Sequence, residues 1–176
     1  MFKPPIILSA ILSSLLISPV FADASRDFQQ PISIEADDQE LDIQANRVIV
    51  RNNVIIRQGS LLITADRLEV VSDGDVSQGE GEVFIATGSP ATYQQEVEDG
   101  MLVEASASEI RYDASTRILV LQGNAQMLQS GNQVSANRIT YYVDEQRVTA
   151  ERDQDSEERV RTIFQPRQNG GSNQGN

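Results

Sequence analysis

Four groups of residues have types and spacing suited to chemistry: Asp37-Asp38, Glu80 with Glu82, Asp73 and Asp75 with Glu80, and Gly79-Glu80-Gly81. Two close carboxylates act as general acid and base when a neighbouring His or Lys completes the proton path. The chain has no His, and its single lysine is Lys3. Both carboxylate pairs fall in turn-forming sequence, so solvated turn carboxylates are the expectation. The Asp73/Asp75/Glu80 spacing does not match a calcium-binding EF-hand loop. Gly79-Glu80-Gly81 is too short and too acidic to cradle a phosphate. With Cys also absent, disulfides, thiol nucleophiles, Cys/His zinc sites and imidazole catalysis are excluded. No enzyme activity, metal or cofactor is expected.

The charge balance narrows the partners. Lys+Arg number 14 against 26 Asp+Glu, a net charge of -12 over 176 residues. Phosphate backbones are held by Lys and Arg, so nucleic acid is not an expected partner. The length suits one domain.

The first 22 residues read as a signal peptide. Lys3 supplies the positive start, and Ile6 to Val20 is apolar but too short to span a bilayer. Val20-Phe21-Ala22 places small residues for cleavage after Ala22, with Ala24 as a second site. No Cys follows to carry a lipid. The expected organisation is a signal peptide over 1–22, a folded region over 23–166 and a disordered Gln/Asn/Gly/Ser tail over 167–176. An exported, soluble mature protein is expected.

The elements between are strands. Apolar residues alternate at Ile32/Ile34, Leu41/Ile43, Val48/Val50, Val54/Ile56, Leu61/Ile63, Leu68/Val70 and Val83/Ile85. Period two puts one side chain of every pair on a common face. Turn residues such as Asn52-Asn53, Gly59-Ser60, Asp73-Gly74, Gly123-Asn124 and Ser130-Gly131 punctuate the runs. Roughly a dozen or more short strands follow from that spacing. Asp73 to Gly88 reads as a glycine-rich seam carrying a hairpin.

The pattern occurs twice. Arg47-Val48-Ile49-Val50 is echoed by Arg117-Ile118-Leu119-Val120, Asn53 by Asn124, Gln58 by Gln129, and Ile63-Thr64-Ala65-Asp66-Arg67-Leu68 by Val134-Ser135-Ala136-Asn137-Arg138-Ile139. Repetition of this length implies stacked β units sharing one core. Phasing the copies on each other turns Ile118 and Val120 inward with Val48 and Val50. Leu119 and Leu121 are then outward, or buried by a neighbour. Small inward residues, Ala36, Ala65, Ala105, Ala125 and Ala136, leave the interior either a thin packed core or an open slot.

Pro31-Ile32-Ser33-Ile34-Glu35-Ala36-Asp37, Leu41-Asp42-Ile43, Asn53-Val54-Ile55-Ile56-Arg57-Gln58-Gly59, Ile63-Thr64-Ala65-Asp66, Pro90-Ala91-Thr92-Tyr93, Gly123-Asn124-Ala125 and Ile139-Thr140-Tyr141 occur in that order. Together, from Pro31 to Pro166, they resemble the LptA/OstA family of periplasmic lipopolysaccharide-export bridge proteins. The resemblance implies an all-β fold: an elongated, twisted antiparallel β-jellyroll, taco-like and open at both ends, here of two similar halves. It implies a periplasmic location and a hydrophobic groove for the acyl chains of lipid A. Ile32, Ile34, Ile43, Tyr93 and Tyr112 match its interior positions, and Val50, Ile56, Val120 and Met127 complete the candidate lipid-binding set. Tyr93 stands where the family commonly has Phe. The implied partners are lipopolysaccharide, an inner-membrane jellyroll protein, an outer-membrane translocon and further copies of the chain, head to tail. Terminal strands around Ile32/Ile34 and Val160/Thr162/Phe164 offer unpaired edges for that assembly. A structural β-filament or adhesin module without ligand is the alternative.

Overall fold

The computed structural model describes residues 27–42, 44–72, 82–97, 100–155 and 157–166. The segments expected from sequence as signal peptide (1–22) and tail (167–176), and Ile43, lie outside the described residues. Ten strands follow one another: β1 (Ser33–Glu35), β2 (Asp38–Asp42), β3 (Arg47–Gln58), β4 (Leu61–Ser72), β5 (Glu82–Val97), β6 (Met101–Asp113), β7 (Ile118–Gln129), β8 (Asn132–Tyr142), β9 (Arg147–Glu151) and β10 (Arg161–Ile163). They form one antiparallel sheet in the order β1-β3-β4-β5-β6-β7-β8-β10, with β2 also on β3 and β9 also on β8. The terminal strands expected from sequence, β1 and β10, are its two ends.

The central strands are longer than the turn signals suggest, running from 11 residues in β8 to 16 in β5. Asn52-Asn53 and Gly123-Asn124 do not end strands. They lie inside β3 and β7 with φ of 66°, 52°, 79° and 50°. Left-handed residues favour Gly and Asn, and here they insert bulges. The register shifts at Arg51/Val54, Thr64/Arg67, Thr87/Ala91, Ser106/Glu109 and Gln122/Ala125 form one line across the sheet. The sheet folds along this line, so the two ends of each strand face each other across the core. Side chains converge on the inside of such a fold and leave little room. The crease is accordingly lined by Ala65, Ala91, Ala107, Ala125 and Ala136, with Val54 at one end.

Of the carboxylate candidates, Asp37 and Asp38 brace this architecture. Asp37 accepts a hydrogen bond from Asn53 Nδ2 (2.6 Å) and Asp38 from Asn52 Nδ2 (2.8 Å), both at the first bulge. The seam expected over 73–88 is narrower, because Val83 to Gly88 already belong to β5. Residues 73–81, with Glu80, lie outside the described residues.

The repeat is real in three dimensions, at an offset of 71 positions, as from Asn53 to Asn124 and Gln58 to Gln129. Val50 pairs with Leu68, and Leu121 pairs with Ile139. The inward phase expected for Ile118 and Val120 is therefore corrected. Leu119 and Leu121 are the fully buried core residues, and Ile118 and Val120 lie half-buried on the outer face. The sequence match that aligned Arg47 with Arg117 is one residue out of register, and a one-residue slip moves every side chain to the opposite face.

Candidate functional site

Three rows of apolar side chains line the inner face. The first runs Ile34, Ile56, Ile63, Tyr93, Ala105, Met127 and Val134, ending on Thr162 of β10. Beyond the crease, the second runs Val50, Leu68, Ala86, Ile110, Leu121 and Ile139. The third runs Leu41, Val48, Val70, Phe84, Tyr112, Leu119, Tyr141 and Val148. Period-two alternation in each strand produces the rows, and antiparallel register aligns them. The first and third rows meet across the interior: a cavity of about 10 Å³ is lined by Ile32, Ile56 and Ile63 from one side and Phe84 and Tyr112 from the other. That volume holds one water at most, so these side chains are packed against one another.

Of the candidate lipid-binding residues, the structure brings Ile32, Ile34, Val50, Ile56, Tyr93, Tyr112 and Met127 onto this one apolar surface. Val120 is on the other face. Sequence reasoning missed Leu119, Leu121, Ile110 and Tyr141, all buried here. The repeat itself held the signal for Leu121, through its distance from Asn124.

Three tyrosines sit among these apolar groups. Burial is the main cause that raises all three hydroxyl pKa values above the ordinary value of 10, with the charge of Arg117 opposing it at Tyr112. The phenols are neutral at physiological pH. Tyr93 donates to Gln95 Oε1 at 2.5 Å. The hydroxyls of Tyr112 and Tyr141 are buried without a hydrogen-bond partner among the described residues.

The mouth between the two lips is crossed by residues 27–30. Ser60 N–H donates to Asp27 Oδ1 (2.9 Å), Gln95 Nε2 donates to Asp27 Oδ2 (3.1 Å), and the Ser60 hydroxyl also reaches Oδ2. Gln58 Nε2 donates to the carbonyl of Gln30 at 3.1 Å and lies 3.5 Å from that of Phe28. From the opposite lip, the Arg117 guanidinium lies 4.8 Å from the centre of the Phe28 ring. This segment thus ties one lip to the other, and sequence reasoning did not anticipate it.

The ion pairs Arg51–Glu40 and Arg57–Glu35 (3.2 Å each) staple neighbouring strands on the outside, and Arg117–Asp144 (2.8 Å) joins the turns that flank β7 and β8. At the sheet ends Val160 is 40% and Phe164 75% exposed, so apolar surface accompanies the free edge of β10. Among the described residues, no cluster of His, Cys, Asp and Glu could hold a metal ion, and no helix is long and apolar enough to cross a membrane.

Residues 33–147 match the family described as LptA/(LptD N-terminal domain) LPS transport protein. The lipopolysaccharide export system protein LptA of Escherichia coli K12 is 39% identical over 164 residues, covering 92% of this chain and 86% of that protein. LptA of Haemophilus influenzae is 32% identical over 158 residues, covering 89% of this chain and 90% of that one. The crystal structure of LptH, the LptA-homologous periplasmic component of the lipopolysaccharide transport device of Pseudomonas aeruginosa, superposes with a TM-score of 0.71 at 30% identity. It covers 80% of this chain and 99% of that one. The curled, open antiparallel sheet is the jellyroll-like fold of that structure, and the chain belongs to the LptA/LptD N-terminal domain family of lipopolysaccharide transport proteins.

Proposed function

We propose that this periplasmic protein carries lipopolysaccharide by taking the acyl chains of lipid A between the two layers of its creased sheet, and that copies join edge to edge into a bridge. The observation behind this reading is the apolar inner face, which continues from β1 through β3, β4, β5, β6 and β7 to β8. Each methylene removed from water contributes about 0.8 kcal/mol, so a multiply acylated lipid needs such a covered path through an aqueous compartment. Rows that repeat between the two halves present similar surfaces at successive positions. A lipid moving along them meets no deep minimum in which to stall. The force for movement comes from other components.

Among the described residues no further strand pairs with the outer edges of β1 and β10, and pairing one copy's β10 with the next copy's β1 gives a heterologous contact that does not close. The same edges suit the jellyroll domains of an inner-membrane partner and an outer-membrane translocon. A second reading, a ligand-free filament module, is favoured by the close packing between Ile56 and Ile63 on one side and Phe84 and Tyr112 on the other, where the cavity holds only about 10 Å³. Photo-crosslinkers at Ile34 and Tyr112 decide between them in cells: lipopolysaccharide adducts support transport, and filaments without adducts support the second reading.

A further inference from the structure

The chain is acidic, so long-range attraction does not draw an anionic lipid to it. Anion recognition must then come from local donors. Such donors converge at the mouth of the slot, and a carboxylate already occupies them. Asp27 receives the Ser60 main-chain N–H at 2.9 Å, the Ser60 hydroxyl, and the Gln95 amide at 3.1 Å. Gln95 is fully buried, and its amide oxygen is fixed by Tyr93, so its N–H groups are aimed before any ligand arrives. The Ser60 hydroxyl is set in turn by the Glu96 N–H, which donates to it at 3.1 Å.

We propose that this cradle is a headgroup site, and that Asp27 stands in it for the phosphate or similar anionic group of an amphiphile whose chains enter the slot. The inference rests on the reading of the slot as an acyl-chain site. Neutral donors fixed by other hydrogen bonds hold an anion well because charge-assisted hydrogen bonds are stronger than neutral ones. The donors sit beside Tyr93 and Ile63 of the first apolar row. An amphiphile therefore meets them where its charged end adjoins its chains. Arg117, already paired with Asp144 at 2.8 Å, reaches the same mouth from the opposite lip through the Phe28 ring.

Residues 27–30 are then an intramolecular competitor. Phe28 packs against the core while Asp27 fills the anion cradle. The segment thus imitates a lipid at both ends, apolar and charged. Tethering keeps it at high effective concentration, so the empty slot stays covered. An incoming lipid must displace it, and its apparent affinity falls by the fraction of closed molecules.

The test compares lipid A with the same lipid stripped of its phosphates, titrated by calorimetry into the mature protein and into Ser60→Ala and Asp27→Ala. The wild type is expected to bind the phosphorylated lipid more tightly. Loss of one charge-assisted bond in Ser60→Ala should reduce that preference by about tenfold. Asp27→Ala should tighten binding of both lipids, because the competitor's anchor is gone. Circular dichroism melting confirms that each variant folds. An equal preference in wild type and Ser60→Ala, or weaker binding by Asp27→Ala, overturns the headgroup site while leaving the acyl slot standing. Failure of the wild type to take up either lipid overturns the slot, and the headgroup site with it.

Discussion

The same substitution at two interior tyrosines should have opposite effects on stability. Tyr93→Phe removes a hydroxyl that donates to Gln95 Oε1 at 2.5 Å, leaving that fully buried oxygen without its donor. Stranding a buried acceptor costs about 1–3 kcal/mol. Tyr141→Phe removes a hydroxyl that is itself buried without a partner, on a side chain with 0% exposure. No bond is lost there, and a desolvation penalty of similar size is relieved, offset by a small loss of packing. The expected changes are a destabilisation of about 1–2 kcal/mol for Tyr93→Phe and a stabilisation of up to about 1 kcal/mol for Tyr141→Phe. At about 2–4 °C per kcal/mol for a domain of this size, the melting temperatures of the two variants should separate by several degrees. Urea denaturation followed by far-ultraviolet circular dichroism measures both, and an unchanged slope shows that the unfolded states are comparable. A midpoint for Tyr141→Phe as low as that of Tyr93→Phe would refute the reasoning, because the Tyr141 hydroxyl would then be satisfied in solution.

Three further outcomes are expected. Leu121→Ala should cost about 2–5 kcal/mol in denaturant unfolding and Val120→Ala much less, since Leu121 is buried and Val120 lies on the outer face; equal losses would restore the phase expected from sequence. Thr162→Pro at the β10 edge should lower the concentration-dependent mass seen by light scattering without changing the melting temperature, and an unchanged mass would remove β10 from the assembly contact. Stability should fall above pH 10, because Tyr93, Tyr112 and Tyr141 keep their protons in the fold to higher pH than in the unfolded chain. The unfolded chain releases those protons first, so alkali favours it by up to about 1.4 kcal/mol per pH unit per tyrosine. A Tyr112→Phe variant with the same alkaline slope would count against that cause.

The all-β class and the two halves were legible in the sequence because alternation and self-similarity are local signals. The phase of β7 was not. Arg47 and Arg117 look equivalent, but the structural counterpart of Arg117 is Asn46, and both have positive φ, 52° and 47°. Arginine gives no sign of a left-handed turn position, so the match slipped by one residue. Bulges were hidden for a related reason: Asn52-Asn53 and Gly123-Asn124 carry the same residues as hairpin turns, and only the neighbouring strand shows that pairing resumes beyond them. The inward alanines were seen but not their cause. Smallness belongs to the inside of a crease, which no single strand reveals. The Asp27 anchor joins residues far apart in sequence through a serine and a glutamine of no distinctive motif.

The sheet order has a consequence for how the chain acquires its structure. From β3 to β8 every strand lies beside the strands before and after it in sequence. Such a meander has low contact order for an all-β protein, and loop closure is inexpensive at each step. A chain entering the periplasm from its N-terminus can add each hairpin as it emerges, without waiting for a distant partner strand. The short outermost strands β1 and β10 make few contacts and form the least protected units. If copies join through these edges as proposed, local opening there exposes the surface that a neighbouring copy would cover, and folding at the edges is then linked to assembly.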